Sequence, residues 1–430
     1  MRSPYINLII QDDMNYLLET NPAFIIIPVE NDNYVFYNSL QHTGTRLTHL
    51  EMLILDMYYR YQDKSFILQK FDNKKRNLIE TALDLIDTNK LLLCEDIEEP
   101  EDSVLPKYPS VYYLHLTYLC NLNCSYCYNR DIRIKNKSEL QLSEWKRIID
   151  KIAPFAKEII LTGGEFFLFE DLLPLLIYIN KKCPNAKISG ISNGMHDFEN
   201  AKFSEAFNYI SDITFSCDSI SREGERKGFN PSLYKRNLKW IKTRYPNIKI
   251  SVSSTFTCSN SEDLKETECF CNKLNLNFAK IILIPQNSSE INMMPDLQNM
   301  DFLTDKIQNS EIKSLKKATF RCGAGKSVSS IDPAGNLYPC QSLHFPEFKM
   351  GNILNDNFQD LKYFAKRGHV LKSVNEFSVC SKCNVKYICG GGCPATAYSL
   401  YGGKIEHNHL LCGINHYSSI QKLKALNNRK

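Results

Sequence analysis

Cys120-Asn121-Leu122-Asn123-Cys124-Ser125-Tyr126-Cys127-Tyr128 carries three thiols at the spacing C-x3-C-x2-C, directly after a strand-like run that opens at Val111. Three cysteines on one short loop can cap three irons of a [4Fe–4S] cluster, since thiolates are the ligands such clusters take. No fourth cysteine lies nearby, so one iron would keep a position for an outside ligand. A three-cysteine zinc site is the competing reading, but zinc usually completes four ligands, and none is evident here.

Working outward, strand-like and helix-like segments alternate from 111 to 285. Strands are expected at 111–119, 158–162, 187–192, 212–218, 249–256 and 278–285, and helices at 143–153, 171–182, 201–210, 232–245 and 261–274. Such alternation implies βαβ units and a parallel sheet. Six strands in that length fit an α/β fold built on a partial (β/α)6 TIM-type barrel rather than an eightfold one. Parity agrees: Ile213, Phe215 and Cys217 share one face while Thr214, Ser216 and Asp218 share the other, and Ile250 and Val252 oppose Ser251, Ser253 and Thr255. The polar face of each strand is expected to line a lumen. His115 shares parity with Tyr113 and Thr117, so it should point into that lumen and touch substrate.

Composition bounds the rest. The chain has 430 residues, 43% of them hydrophobic and 23% charged, with sixteen cysteines and a formal net charge of +4. These are globular values, which excludes a wholly disordered chain. The charge is too small and too evenly spread to argue for nucleic acid. The N-terminus offers no signal-peptide pattern, and the longest apolar runs, 24–29 and 172–179, are too short to span a membrane. The expected setting is therefore cytoplasmic, where thiols hold metal or do redox chemistry rather than form disulfides.

Three domains are expected. Residues 1–104 read as a winged-helix-like α+β unit, with a hairpin at Glu30-Asn31-Asp32-Asn33, a helix capped by Thr48, and a further helix over 78–86. The acidic stretch Glu95-Asp96-Ile97-Glu98-Glu99-Pro100-Glu101-Asp102 is a solvated linker. The barrel covers 105–290, and residues 310–430 hold seven of the sixteen cysteines and Gly390-Gly391-Gly392 with little periodicity. Ligands rather than a large apolar core should organise that last domain.

The cysteine loop, with its aromatic residue before the last cysteine, resembles the radical S-adenosylmethionine (SAM) superfamily. The resemblance implies that Cys120, Cys124 and Cys127 hold a [4Fe–4S] cluster whose open iron takes SAM and whose electron cleaves it to a 5′-deoxyadenosyl radical. Leu161-Thr162-Gly163-Gly164-Glu165 looks like the family's glycine-rich segment, so Gly163, Gly164 and Glu165 would hold the SAM amine. Phe166 departs from the proline usual there. By the same resemblance Tyr126, Ser192, Asn193, Ser216, Asp218 and Arg226 contact SAM, with Arg226 suited to clamp its carboxylate.

The spacing Cys322-x12-Gly335-x4-Cys340, then Cys380-x2-Cys383-x5-Cys389-x3-Cys393, then Cys412 resembles the SPASM extension, which carries two auxiliary iron–sulfur clusters. Carried over by position, Cys380, Cys383, Cys389 and Cys412 bind an outer cluster, and Cys322, Cys340 and Cys393 bind an inner one, for three [4Fe–4S] clusters in all. Lys316, Lys317 and Ala318 stand where many members have a further cysteine, so the inner cluster has an open iron or another ligand. A zinc-ribbon-like site over 380–393 is the alternative.

The whole resembles a peptide maturase of ribosomal natural products. That implies a leader-bearing precursor peptide bound by the N-terminal domain, an external electron donor such as flavodoxin or ferredoxin, and a C–C or C–S crosslink as product. Formylglycine formation of the anaerobic sulfatase-maturase type and peptide epimerisation share the barrel. An iron–sulfur-sensing transcription factor would need a basic recognition helix, and 49–58 carries no Lys or Arg. Cys94, Cys183, Cys217, Cys258, Cys269 and Cys271 read as small hydrophobes, with Cys258 the best placed to donate hydrogen. His407 and His409 read as surface residues.

Overall fold

The computed structural model describes residues 21–94, 108–130, 139–285, 288–295, 322–356, 372–400 and 409–426. In the N-terminal unit the expected hairpin forms: β1 (Phe24–Val29) runs antiparallel to β2 (Asn33–Asn38). Asn31 and Asp32 take left-handed φ values of 61° and 54° in the turn, which short polar side chains tolerate best. A third strand, β3 (Thr43–Thr48), pairs with β2; only the alternation Thr43, Thr45, Leu47 signalled it. Thr48 then caps α1 (His49–Tyr61), accepting from the backbone of Glu51 while Glu51 returns a bond to Thr48, a reciprocal box that satisfies two otherwise orphaned donors. A short α2 (Lys64–Gln69) and the amphipathic α3 (Arg76–Thr88) complete a helical layer on one face of the sheet, around Phe36, Leu47, Met52, Leu55, Ile79 and Leu83.

The six expected barrel strands stand side by side in chain order: β4 (Val111–His115), β6 (Glu158–Thr162), β7 (Lys187–Ser192), β8 (Asp212–Ser216), β10 (Lys249–Phe256) and β11 (Asn277–Ile282). All neighbouring pairs are parallel. The crossover helices α4 (Leu142–Ile152), α5 (Leu172–Lys182), α6 (Pro231–Arg244) and α7 (Ser261–Lys273) cover the outside. Their buried stripes (Trp145, Ile148, Ile149 and Ile152 on α4, for example) join one large core with the outward residues of the strands. A two-stranded ribbon, β5 (Asn123–Cys124) with β9 (Arg226–Lys227), sits at the end of the barrel.

Four expectations need correction. The strands beginning at 111, 212 and 277 stop at His115, Ser216 and Ile282, because the residues beyond β4 and β8 leave the ladder to build the site. The segment 201–210 is one helical turn, Ala201–Ser204, followed by a 3-10 turn, Glu205–Asn208. There the aromatic Phe207 packs with Phe167 and Phe198, and that contact sets the chain path instead of helical repetition. His115 points inward as parity implies but is only 3% exposed. The ring of His344 covers it at 4.5 Å, so His115 stands behind His344 instead of facing the lumen openly.

The fourth correction concerns the C-terminal segment, which grows out of the barrel sheet. Its first strand, β12 (Val328–Ile331), adds parallel to the outer edge of β4, with Val328 opposite Val111. β13 (Asn336–Tyr338) and β14 (Gly351–Asn352) continue the nine-stranded sheet antiparallel. Lys151 on α4 reinforces the join, donating to the carbonyls of Ile353, Leu354 and Asp356 at 2.5, 3.3 and 3.3 Å. Beyond it lie α8 (Pro394–Leu400) and α9 (His409–Lys424). Among the described residues no helix is long and apolar enough to cross a membrane. His407, the linker 95–102 and positions 316–318 lie outside the described residues.

Candidate active site

The loop of Cys120, Cys124 and Cys127 leaves the end of β4 and is fastened at many points. Gly164 and Glu165 donate their backbone N–H groups to the carbonyls of Thr117 and Leu119, both at 2.8 Å. A Cβ on Gly163 would lie 2.6 Å from the Thr117 oxygen, and one on Gly164 only 2.1 Å from the Leu119 oxygen. Two strand ends therefore meet here at a separation only glycine permits. The glycines fit against the root of the cysteine loop, a reason different from close approach to a cofactor.

Other fastenings come from residues the sequence reading missed. Arg130 donates to the carbonyls of Cys124 and Ser125. Glu139 accepts from Thr117 Oγ1 at 2.9 Å and from the Tyr118 backbone at 2.7 Å. Glu225 accepts from Ser125 Oγ at 2.5 Å, and the β5–β9 ribbon sets Cys124 opposite Arg226. Each of these partners is an ordinary surface-type residue with no local motif, so only long-range pairing reveals it.

Around the thiols stand the residues expected to hold SAM. Asn193 Nδ2 lies 3.7 Å from Cys120 Sγ and 2.7 Å from Asn121 Oδ1. Arg226 Nη1 lies 3.9 Å from Cys124 Sγ, its Nε is 3.2 Å from Asp218 Oδ2, and its guanidinium lies over the Tyr126 ring at 5.6 Å. Tyr126 OH donates to the same Asp218 oxygen, and Asp218 Oδ1 accepts from the Thr255 backbone at 2.9 Å. The buried pair thus ties β8, β9, β10 and the cysteine loop together. Ser216 ends β8 half-exposed, level with Ser253 of β10.

Glu165 is 1% exposed. Its carboxylate accepts from Ser192 Oγ at 3.0 Å, from the Asn193 backbone at 2.7 Å and from the Phe167 backbone at 3.3 Å, with His196 Nε2 at 3.7 Å. Burial pushes its pKa up to about 7 in spite of those bonds. Burial also depresses His196 to about 4 and His115 to about 3, so both imidazoles are neutral.

None of the sixteen cysteines is joined in a disulfide. The donor set suits an iron–sulfur cluster: two N–H groups aim at the sulfurs of Cys120 and Cys124, as hydrogen bonds to cluster thiolates do. Without metal, burial drives Cys124 up to about 11, with Cys127 and Cys120 adding to the shift. Seven of the other thirteen cysteines lie in two further groups. Burial and the nearby Cys389, Cys383 and Cys412 push Cys380 up to about 11. Burial raises Cys340 to about 12, with Cys322 and Cys393 close enough to add to it. Cys217 and Cys271 are fully buried outside the site, and Cys258 is exposed beyond β10.

Comparison with known proteins matches residues 114–267 to the radical SAM superfamily and residues 322–384 to the SPASM iron–sulfur cluster-binding domain. The mycofactocin maturase MftC of Mycolicibacterium smegmatis is 24% identical over 308 residues, covering 66% of this chain and 77% of that protein. The sporulation killing factor maturation protein SkfB of Bacillus subtilis is 24% identical over 58% of this chain and 63% of that protein. Among solved structures, Streptococcus suis SuiB shares the fold at a TM-score of 0.56 and 15% identity, covering 90% of this chain and 98% of that one. The enzyme anSMEcpe with bound AdoMet does so at 0.54 and 17%, over 73% of this chain and 96% of that one.

Proposed function

The chain belongs to the radical SAM superfamily and carries a SPASM iron–sulfur extension, and from that premise we propose that it installs a C–C or C–S (thioether) crosslink in a ribosomally made precursor peptide. The observation that carries this reading is that thiols of two cysteine groups act electrostatically on one and the same tyrosine. Cys127 and Cys340 both raise the pKa of the Tyr128 hydroxyl, after burial itself, and Cys340 adds to the rise at Tyr113, on the inward face of β4. A crosslink needs a place where a hydrogen atom is removed and, next to it, a place that takes up an electron.

When bound, SAM and the clusters supply a 5′-deoxyadenosyl radical and a sink for the electron released as the new bond closes. Cys120, Cys124 and Cys127 would hold the SAM-cleaving cluster, with an external donor such as flavodoxin or ferredoxin as the source of its electron. Cys322, Cys340 and Cys393 would hold the inner auxiliary cluster, and Cys380, Cys383, Cys389 and Cys412 the outer one. Glu165, held by Ser192 and Asn193, would offer its buried carboxyl group to the SAM amine. Arg226, steadied by Asp218 and Tyr126, offers a guanidinium to the SAM carboxylate. Thr214, Ser216, Ser251, Ser253 and Thr255 are half-exposed on the inward faces of β8 and β10 and give the lumen hydroxyls with which to orient a peptide. Each crosslink removes two hydrogens from the peptide, one as an atom and the other as a proton and an electron.

The precursor's leader adds as a strand to the N-terminal sheet, where main-chain bonds give affinity. Of its two edge strands, β1 carries Pro28, which has no N–H to offer and blunts that edge. The β3 edge is the better acceptor. Relatives are named for maturation, MftC and SkfB among them, and another as a PqqA peptide cyclase, which supports a peptide substrate.

The test is co-expression with a short precursor peptide, read by mass spectrometry with 5′-deoxyadenosine measured alongside. A product lighter by two hydrogens is expected. Unchanged mass with an inverted residue would replace crosslinking by epimerisation. Full activity after deletion of residues 1–100 would favour formylglycine formation.

A further inference from the structure

An antiparallel sheet with helices on one face commonly leaves its other face to water. The N-terminal sheet does not. Ile25, Ile27, Val35 and Tyr37 project away from α1–α3, and their cover comes from the far end of the chain: Val385, Ile388, Leu423 and Leu426, all eight buried together. Polar contacts rim this seam. Tyr37 OH meets His42 Nδ1 at 2.7 Å, the His42 ring stands edge-on to Tyr387, and Arg46 donates to the carbonyl of Lys424 at 3.4 Å. At Gly44 a Cβ would already touch Tyr37 and Leu426 at 3.1 and 3.4 Å.

Both covering elements are tethered by the outer cysteines. Val385 and Ile388 lie between Cys383 and Cys389, in and just before the single turn Lys386–Cys389. Leu423 and Leu426 lie at and just beyond the end of α9, whose first turn carries Cys412. Cys383 itself packs against the seam. Among the described residues, a small buried cluster of Val374, Cys380 and Tyr387 lies beside these elements. The single turn Lys386–Cys389 and the 16-residue α9 meet at this seam, with the four outer thiols close to one another beside them.

We propose that the outer four-cysteine site is the joint that holds the N-terminal domain to the rest of the molecule, with Ile388 and Leu426 as its positioning residues, so that filling this site sets how the precursor is presented to the lumen. This rests on the reading of the N-terminal domain as the peptide-binding part.

The test compares reconstituted wild-type protein with Ile388→Ala and Cys412→Ala by hydrogen–deuterium exchange. Exchange in β1 and β2 is expected to rise about tenfold or more in both variants, with β6 to β10 unchanged. Ile388→Ala keeps every cysteine, so it reads the seam even if Cys412→Ala folds poorly. With precursor, Ile388→Ala should raise KM about tenfold and leave peptide-free SAM cleavage to 5′-deoxyadenosine at the wild-type rate. Unchanged exchange in β1 and β2 after loss of the outer cluster would overturn the proposal, as would increased exchange with an unchanged KM. Failure of wild-type protein to bind any precursor would count against the peptide reading alone, because the exchange arm needs no peptide.

Discussion

The barrel and the C-terminal lobe both present cysteines, yet they are held together differently. The barrel buries a continuous core in which Trp145, Phe166, Phe167, Phe207 and Phe215 are almost wholly covered. Its cysteine loop is a passenger, fastened by Arg130, Glu139, Glu225 and the β5–β9 ribbon. In the lobe, Ala324, Leu343, Phe348 and Ala395 form one small cluster against Cys322, Cys340 and Cys393, and Val374, Cys380 and Tyr387 form another. There Cys380 is itself a core member, and the other three thiols pack against a cluster of only four buried residues. Burial therefore stabilises the first region, whereas ligation largely takes that role in the second.

The sharpest way to break this contrast is to remove one cysteine from each. Cys124→Ala should abolish 5′-deoxyadenosine formation while shifting the barrel's melting temperature by only about 1–2 °C. Cys383→Ala should unfold its surroundings, seen as lost exchange protection over 372–400 and 409–426. Equal loss of barrel and lobe protection in both variants would erase the distinction.

A smaller effect comes from the charge buried at the barrel end. Glu165 has a folded-state pKa of about 7 against an ordinary value of 4.5. Between those values the folded protein keeps a proton that the unfolded chain has released, so stability falls as pH rises through that window. Above about 7 the loss is complete, on the order of 3 kcal/mol for this group. Denaturant unfolding of the iron-free protein should show this decline, and Glu165→Gln should flatten it. A wild-type profile that climbs from pH 4.5 to 7 would contradict the assignment.

The same contrast governs what could be read in advance. Six strands and four of their covering helices were legible because alternation and parity are local signals. The ten cysteines proposed as cluster ligands stood out for the same reason, since most of their spacing is local, and the folded chain brings them into three groups. The partners of the cysteine loop were not: Arg226 meets Cys124 across about a hundred residues, and Arg130, Glu139 and Glu225 belong to no motif. The addition of β12 to β4 escaped for the same reason, since Val328 and Val111 reveal their pairing only in the folded chain. His115 shows the limit of parity, which gave its direction correctly but could not foresee His344 in front of it.

Gly164→Ala sharpens the comparison from the barrel side. The new Cβ would sit 2.1 Å from the Leu119 carbonyl, which is backbone and cannot swing aside. The expected cost is about 1–3 kcal/mol, together with reduced iron retention at Cys120–Cys127 and unchanged iron in the lobe. Iron content and a melting curve decide it, and full retention at normal stability would mean that the loop root is softer than its packing implies.

The smallest effect is the most discriminating for the lobe. Gly413 lies within α9 beside Cys412, and a Cβ there meets nothing within 4 Å. Gly413→Ala should favour the helix by about 0.5–1 kcal/mol. If ligation holds the lobe, that gain belongs to the metal-free state, where α9 has lost its tether at Cys412 and its first turns, away from the seam at Leu423 and Leu426, depend more on helix propensity. Exchange over 409–426 should therefore slow severalfold in iron-free protein and barely change once the clusters are loaded. Equal slowing in both states would place α9 with the barrel, as an element stabilised by its own packing, and the two regions would no longer differ in kind.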